Sequence, residues 1–419
     1  MNQVLRDVRS YFLLLGTQFL TVINDNLFKQ SVLLLAVSRQ GQEGHLQSMA
    51  QALFSLPFLL FAVLAGDCAD RWPKRSILIC AKFAEALIML LAAAAFWYGS
   101  LWPLLAVVFL MGAQSSFLGP AKYGSLPELS TQEGLPRANG LFQASVLGAI
   151  LLGTGAAGHV AESALPYLAL GMAVTAVAGA GLAMGMRAQV VTSPPAALRF
   201  NPLRRLREGW ADAAKRPGLR PALWGHALFW MVGSLMLLAW NEFLAVDAQG
   251  VAEVAVSSGD WSIGLAVLSV FMAIGALIAG QLQRTAIRRS LVGLGSCGMA
   301  VGFLAASVVP TEPWPLFLCM ATASFFSGFY LIPLRTLVQK IPPHHALGAT
   351  LGTSQMLDFG FIFFGAMLRP LLTLAGVDSQ GLLGFLGLAL LATFVPLMRH
   401  LPHHVTLSVD AGADEAQSS

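Results

Sequence analysis

The stretch GDCADRWPKR, residues 66–75, decides the fold because it joins two long apolar runs through a short, charged connection. The runs cover residues 49–67 and 76–98, and a helix of about 20 apolar residues crosses the hydrocarbon core of a bilayer. Lipid offers no hydrogen bonds to the backbone, so a continuous apolar segment of this length crosses a membrane as a helix. The stretch therefore predicts a pair of transmembrane helices joined by a basic turn.

The same pattern recurs along all 419 residues, of which 56% are hydrophobic and 11% charged. Soluble domains are about 25% charged, so this composition excludes a soluble enzyme and a disordered chain. We predict an all-α polytopic membrane protein with twelve transmembrane helices. The predicted spans cover residues 11–37, 49–67, 76–98, 102–122, 139–160, 164–186, 221–245, 261–282, 290–309, 314–337, 346–369 and 380–399.

The distribution of basic residues predicts the orientation, because Lys and Arg are enriched in cytoplasmic connections. Connections on the side of residues 66–75 carry Arg71, Lys74, Arg75, Arg137, Arg284, Arg288, Arg289, Lys340 and a basic middle segment from Arg199 to Arg220. The other side has Arg39 and, at a border, Arg369. We therefore expect both termini in the cytoplasm.

The four cysteines form no CxxC pair, so no metal site is predicted.

Internal repetition predicts two halves in the same orientation, with an offset near 214 residues. Gly66 and Arg75 correspond to Gly280 and Arg289, and Gln143 corresponds to Gln355. We predict an N-terminal six-helix bundle over 1–187, a basic cytoplasmic linker over 188–220, a C-terminal six-helix bundle over 221–402 and a disordered cytoplasmic tail over 403–419. The linker has two open interpretations, which are an amphipathic segment on the inner leaflet and a plain charged connection that fixes topology.

The stretch 66–75 also resembles the G-x-x-x-D-R-x-x-[KR]-R signature of the major facilitator superfamily, with the six-plus-six layout of that superfamily. The resemblance implies two bundles related as parallel repeats around a central cleft. We expect a charged latch, in which Asp70 caps or pairs across helix ends of its own half and is released when the cytoplasmic side opens. The predicted latch residues are Gly66, Asp70, Arg71, Lys74 and Arg75.

Further segments are similar to bacterial lysophospholipid transporters. They are N-D-N-L-F-K at 24–29, K-F-A-E at 82–85, G-P-A-K-Y-G at 119–124, L-P-E at 126–128 and A-N-G at 138–140. Members of that family commonly carry an Arg in span seven, where this chain reads G-S-L-M-L-L at 233–238. The resemblance implies a flippase that moves lysophospholipids from the outer to the inner leaflet of the bacterial inner membrane by alternating access, for re-acylation inside. Relatives are often fused to an acyltransferase, so a separate acyltransferase or acyl-carrier ligase is the implied partner.

Ionisable residues inside spans are costly, at least about 2.5–3.5 kcal/mol each at mid-bilayer, and mark functional sites. Lys82 and Glu85 are three residues apart on one helix and are expected to neutralise each other, with a structural or gating role. Asp25 and Lys29 allow the same pairing, although Asn24 and Asn26 beside Asp25 favour substrate contact. The predicted substrate-binding residues are Asp25, Asn26, Lys29, Lys122, Tyr123, Arg335 and Asp358.

Lys122 and Arg335 occupy equivalent positions in the two halves, and both spans line the cleft in the superfamily that the sequence resembles. Two cations that face each other across a cleft would hold an anion such as a phosphate. The alternative is that both are helix-end cations that reach the interface.

Other function classes lack their motifs. No lysine follows a glycine, so a Walker A loop is absent, and neither G-x-S-x-G nor H-E-x-x-H occurs. We therefore expect no enzyme activity, no cofactor and no nucleic-acid partner. The expected partners besides the substrate are the surrounding membrane lipids. The alternative function is transport of another amphipathic solute (a drug, siderophore or peptide fragment), with proton coupling as an option.

Overall fold

The computed structural model describes residues 5–40, 43–157, 160–187, 201–248, 258–283, 286–310 and 313–406. Its helices are α1 (Val8–Gln40), α2 (Glu43–Arg71), α3 (Lys74–Tyr98), α4 (Leu101–Leu129), α5 (Leu135–Ala157), α6 (Leu165–Met184), α7 (Pro202–Ala214), α8 (Leu219–Ala248), α9 (Ser258–Leu282), α10 (Arg289–Ala306), α11 (Pro313–Lys340), α12 (Leu347–Leu374) and α13 (Ser379–His400). Two short strands, β1 (Ala286–Arg288) and β2 (His404–Thr406), pair antiparallel.

Each of the twelve predicted spans corresponds to one long helix, and α7 lies between the sixth and seventh. Within the described residues, ten helices are long and apolar enough to cross a membrane, and Val267–Leu282 of α9 is a shorter apolar segment. Helix α1 is not among the ten, and Gln18 and the Asn24-Asp25-Asn26 cluster interrupt its apolar sequence. The prediction of an all-α polytopic membrane protein is confirmed.

The helices form two bundles with the same internal arrangement. In the first half α1 packs against α4, α5 and α6, α3 packs against α4 and α6, and α2 packs against α4. In the second half α8 packs against α11, α12 and α13, α10 packs against α11 and α13, and α9 packs against α11. Each pairing in one bundle has its counterpart in the other, as expected of parallel repeats.

The surface where the two halves meet, here called the seam, contains two equivalent glycine contacts. At Gly66 of α2 an added Cβ would lie 2.3 Å from the backbone oxygen of Gly348 in α12. At Gly280 of α9 an added Cβ would lie 2.7 Å from the backbone oxygen of Pro136 in α5. Both contacts need glycine because backbone meets backbone without room for a side chain. The offset between Gly66 and Gly280 in the sequence thus corresponds to a repeated contact in the fold.

One end of the molecule, here called the basic end, contains the 66–75 connection, and polar contacts cross the seam there. Asn139 at the start of α5 donates to Gln339 Oε1 near the end of α11, with an N···O distance of 2.5 Å. Lys340 Nζ lies 3.0 Å from Gln132 Oε1 in the connection between α4 and α5. The halves are therefore held together at the basic end.

Helix α7 lies on the seam, within the segment predicted as a linker. Its Arg205 donates through Nε to Asp67 Oδ2 of α2 at 3.0 Å, and Gly209 approaches Thr353 of α12 so closely that an added Cβ would lie 2.3 Å from its hydroxyl oxygen. The helix also contacts α8. The first part of the linker, residues 188–200, lies outside the described residues, as does Arg284.

The segment predicted as a disordered tail is partly ordered. His404–Thr406 forms β2, which pairs with the connection between α9 and α10, so the prediction was wrong for these residues. Backbone hydrogen bonds to β1 supply the partners that composition alone did not indicate. Residues 407–419 lie outside the described residues.

Candidate functional site

The core of the first half contains a fully enclosed ion pair. Lys82 Nζ lies 2.7 Å from Glu85 Oε2, and the two side chains are 0% and 1% exposed. Asn24 donates to the other Glu85 oxygen at 2.8 Å, and Thr21 Oγ1 lies 3.1 Å from Lys82. A buried ion pair of this kind needs such extra hydrogen bonds to offset the desolvation of its charges. The pair is thus built into the packing of α1 and α3.

Asp25 is connected to this core by two side chains of α4. Ser115 Oγ lies 3.2 Å from Asp25 Oδ2 and 3.0 Å from Gln114 Oε1, and Gln114 Nε2 donates to the backbone oxygen of Ala81 at 3.0 Å. The second carboxylate oxygen of Asp25, Oδ1, is buried with no hydrogen-bond partner in the structure. An unpartnered carboxylate oxygen is expensive to bury. Asp25 therefore presents an acceptor that a ligand could use.

The neighbours of Asp25 on α1 differ in what they contact. Lys29 places its ammonium 4.3 Å from the centre of the Phe54 ring of α2, a cation–π contact. Asn26 donates to the backbone oxygen of Val22 in its own helix at 2.8 Å. Lys29 and Lys122 both lie within electrostatic range of Asp25. Among the predicted residues of α1, Asp25 and Lys29 thus belong to one charged cluster, whereas the Asn26 amide is engaged by its own helix.

Lys122, Tyr123 and Arg335 come together at the seam. The Arg335 guanidinium of α11 lies 4.0 Å from the centre of the Tyr123 ring of α4, and the Lys122 ammonium lies 5.3 Å from it. Within the described part of the chain, neither cation has a hydrogen bond or ion pair. Arg335 is 7% exposed, and Lys122 and Tyr123 are half-buried. A buried guanidinium and a half-buried ammonium, one from each half and neither in a direct ion pair, form a place where a phosphate would be stabilised.

Asp358 of α12 has a partner that the sequence analysis missed. Its Oδ1 lies 2.7 Å from Nδ1 of His226 in α8, and His226 is 0% exposed. Arg335 is close enough to act electrostatically on His226. A histidine inside span seven was a usable signal, since any ionisable residue within a span suggests function. Ser115 and Gln114 were also missed, and uncharged residues carry no comparable signal.

The latch residues are found at the basic end, where Asp70 differs from the expectation. Its two carboxylate oxygens accept from the backbone N–H groups of Gly348 and Ala349 at 2.6 and 2.8 Å, so Asp70 caps α12 of the opposite half rather than a helix of its own half. The seam brings the start of α12 against the end of α2, a tertiary contact that local spacing did not reveal. Lys74 pairs with Glu128 at 2.5 Å.

The other charged latch residues remain within the first half or without a side-chain partner. Arg75 donates to the backbone oxygen of Met184 in α6. Arg71 has a buried Nε with no hydrogen-bond partner. The connection 66–75 thus combines contacts across the seam, at Gly66 and Asp70, with contacts of Lys74 and Arg75 that fasten α3 to α4 and α6. Within the described residues, no cluster of His, Cys, Asp or Glu has the arrangement of a metal site.

Known proteins share this architecture. The model of the Major Facilitator Superfamily matches residues 14–366. Lysophospholipid transporter LplT of Enterobacter sp. (strain 638) is 29% identical over 339 residues, which are 78% of this chain and 80% of the relative. LplT of Yersinia pestis (strain Pestoides F) is 27% identical over 354 residues, 81% of this chain and 80% of the relative. The resemblance drawn from the sequence is confirmed.

Solved structures agree in fold. The human organic anion transporter MFSD10 superimposes with a TM-score of 0.75 at 15% identity, covering 93% of this chain and 99% of that one. The proton:xylose symporter XylE gives a TM-score of 0.73 at 12% identity, covering 96% and 97%. With its matching family model, its repeated bundles and its membrane-spanning helices, this chain belongs to the major facilitator superfamily and is a multi-pass membrane transporter.

Proposed function

We propose that this transporter moves lysophospholipids across the bacterial inner membrane, from the outer to the inner leaflet, by alternating access. The observation that carries the proposal is the pair of cations at Tyr123. Lys122 and Arg335 contact the same ring from opposite halves, and neither has a hydrogen bond or direct ion pair among the described residues. A lysophospholipid supplies the missing anion through its phosphate, and Arg binds phosphate in a bidentate manner. The LplT relatives favour this substrate class over other anions.

Asp25 completes a site for a zwitterionic headgroup. Its unpartnered Oδ1 is an acceptor for the ammonium of an ethanolamine headgroup, while the phosphate lies toward Lys122. Asp25 belongs to α1 and Arg335 to α11, so a headgroup that contacts both touches both halves. Such a headgroup binds more tightly when the two halves are close together than when they are apart. A ligand shifts a conformational equilibrium only through such a difference in affinity between the two states. In this proposal the product is re-acylated by a separate enzyme.

The basic end is the cytoplasmic end in this proposal, because Lys and Arg are retained in the cytoplasm. The seam contacts of Asp70, Asn139 and Lys340 then close the cytoplasmic side. In this state the site binds substrate that enters from the outer leaflet. Release inward requires these contacts to break as the halves rock. Both termini are cytoplasmic under the same assignment.

The test is uptake of a fluorescent lysophosphatidylethanolamine into the inner leaflet of proteoliposomes that contain the purified protein. Losing a hydrogen bond to a charged group costs about 1.5–3 kcal/mol, roughly 10- to 100-fold in affinity. We expect Lys122→Ala and Arg335→Ala each to lower uptake at subsaturating lipid by that factor. Arg399→Ala is the matched control, since Arg399 lies exposed at the end of α13.

Two outcomes would contradict the proposal. Uptake by Lys122→Ala and Arg335→Ala at the rate of the unsubstituted protein would remove the cation pair from the site. No lysophospholipid uptake by the unsubstituted protein, with uptake of another amphipathic solute instead, would replace the substrate class while leaving the transporter fold intact.

A further inference from the structure

Gln355 of α12, a residue that the proposed headgroup site does not use, carries an unpartnered acceptor next to that site. Its Oε1 is buried and has no hydrogen-bond partner among the described residues. The Gln355 carboxamide lies directly against the Cα of Gly119 in α4, where an added Cβ would overlap both its oxygen and its nitrogen. Glycine at 119 therefore leaves the space that this carboxamide of the opposite half occupies.

One face of α4 relates Gln355 to the groups of the headgroup site. Ser115, Gly119 and Lys122 are spaced by four and three residues, so they share one face of the helix. Ser115 Oγ lies 3.2 Å from Asp25 Oδ2. Gln355 meets this face one turn further along, at Gly119, and the cation pair meets it after one turn more, at Lys122. The order along the face is a carboxylate acceptor, an amide acceptor and then two cations, over roughly 10 Å.

This order fits a phosphoethanolamine headgroup. The two-carbon bridge between phosphate and ammonium is comparable in length to one helical turn, roughly 5 Å. A phosphate at the cation pair therefore places the ammonium beside the two acceptors. A primary ammonium has three N–H donors, which is enough for Asp25 Oδ1 and Gln355 Oε1 together. A quaternary ammonium has the same charge but no N–H, and proteins recognise it through aromatic faces instead.

We propose that Gln355 is a specificity-determining residue, and that its Oε1 and Asp25 Oδ1 together select headgroups whose cation has at least two N–H donors. The selection rests on the proposed function, since it takes the phosphate to lie at the cation pair. A quaternary headgroup displaces water from both acceptors and offers no hydrogen bond in return, which is unfavourable for buried polar groups. The site therefore discriminates by penalising the wrong ligand as well as by binding the right one.

The experiment compares four lysophospholipids with the same acyl chain and phosphate, whose headgroups are ethanolamine and its N-methyl, N,N-dimethyl and N,N,N-trimethyl (choline) derivatives. At neutral pH all four cations carry one positive charge, and they have three, two, one and no N–H donors. Equilibrium dialysis below the critical micelle concentration gives the dissociation constant of each lipid with the purified full-length protein. We expect the first two to bind alike. Each of the next two steps should weaken binding about 10- to 100-fold, the value of one hydrogen bond to a charged group.

Variants assign one of these two steps to Gln355. Gln355→Met removes the amide acceptor and keeps the length of the side chain, so the loss between the N-methyl and N,N-dimethyl headgroups should disappear while the loss on going to choline remains. Gly119→Ala should act in the same way, because its Cβ displaces the Gln355 carboxamide. Gln283→Met is the matched control and should retain both losses. Gln283 is also buried with an unpartnered Oε1, but it follows the end of α9 and lies outside the headgroup site.

Two results would overturn the role of Gln355 while the proposed function stands. One is equal affinity of the unsubstituted protein for all four headgroups, or an even loss with every added methyl group, which is the mark of steric crowding. The other is a loss between the N-methyl and N,N-dimethyl headgroups that persists in Gln355→Met and Gly119→Ala. The first result needs no variant, so it decides the matter even where a variant does not fold. No binding of any of the four lipids by the unsubstituted protein would overturn the proposed function, and the selection with it.

Discussion

Replacing Asp70 by Asn should shift the protein toward states in which the basic end is open. Asp70 accepts two backbone hydrogen bonds from the first turn of α12, at 2.6 and 2.8 Å, and it belongs to the opposite half. Negative charge at a helix N-terminus is worth 0.3–1 kcal/mol, and up to about 2 kcal/mol when partly buried. Asn keeps one acceptor and loses the charge. We expect a loss of about 1–2 kcal/mol, which is roughly a 5- to 30-fold change in the ratio of open to closed states.

The assay is a distance measurement between two nitroxide labels at the basic end. Glu133, between α4 and α5, and His345, between α11 and α12, are exposed and belong to different halves, so cysteines placed there report the opening. The native cysteines, which must first be replaced by Ala, are Cys68, Cys80, Cys297 and Cys319. The double electron–electron resonance distribution of Asp70→Asn should gain population at longer distances.

The matched control is Asp378→Asn. Asp378 caps α13 in the same way, accepting from the Gly381 N–H at 2.7 Å, but it acts within one half and away from the seam. Its substitution should leave the distance distribution unchanged. If Asp70→Asn also leaves it unchanged, or if both variants lengthen it equally, the cap across the seam does not set the closed state.

Substitutions at three further places test the packing and the seam. Lys82→Met leaves Glu85 as an uncompensated buried charge and should destabilise the fold by about 3–5 kcal/mol, measured as a large fall in thermal stability. The double variant Lys82→Met with Glu85→Leu should recover much of that loss. Gly140→Val should raise the open fraction in the label assay, because its Cβ would lie 2.6 Å from the Ala276 backbone oxygen across the seam. Asp7→Ala should cost about 1 kcal/mol of thermal stability by removing the cap of α1, and Asp7→Asn should cost less.

The sequence predicted the twelve spans because a bilayer imposes one rule on every spanning segment. The length of the apolar segments was enough to predict the helices. The repeated glycines at 66 and 280 predicted the symmetry of the two halves, and both glycines make equivalent contacts at the seam. Helix α7 and the strand at 404–406 were not predicted as such. Neither crosses the apolar core, so each depends on particular partners, such as Asp67 for Arg205, that only the tertiary structure supplies.

The charged residues of the candidate site could be predicted from the sequence, but only the pairing within a single helix could be predicted with them. Lys82 and Glu85 could be matched from their spacing, since three residues on one helix fix their proximity. Arg335 and Tyr123 are more than two hundred residues apart, and only the equivalence of the halves suggested that Arg335 faces Lys122. The contact between Asp358 and His226 joins helices α12 and α8, and no local pattern in the sequence connects them.

The kind of contact at the seam bears on how the halves can separate. At the basic end the described contacts between halves include hydrogen bonds, such as those of Asn139 and Lys340, beside close glycine backbones. A hydrogen bond contributes only about 0.5–1.5 kcal/mol net, because water replaces the partner when the bond opens. Apolar burial has no such substitute and costs about 25 cal/mol for each Å² exposed again. The polar contacts at the basic end therefore add less to the barrier to rocking than apolar contacts across the seam, such as that of Phe58 with Phe359.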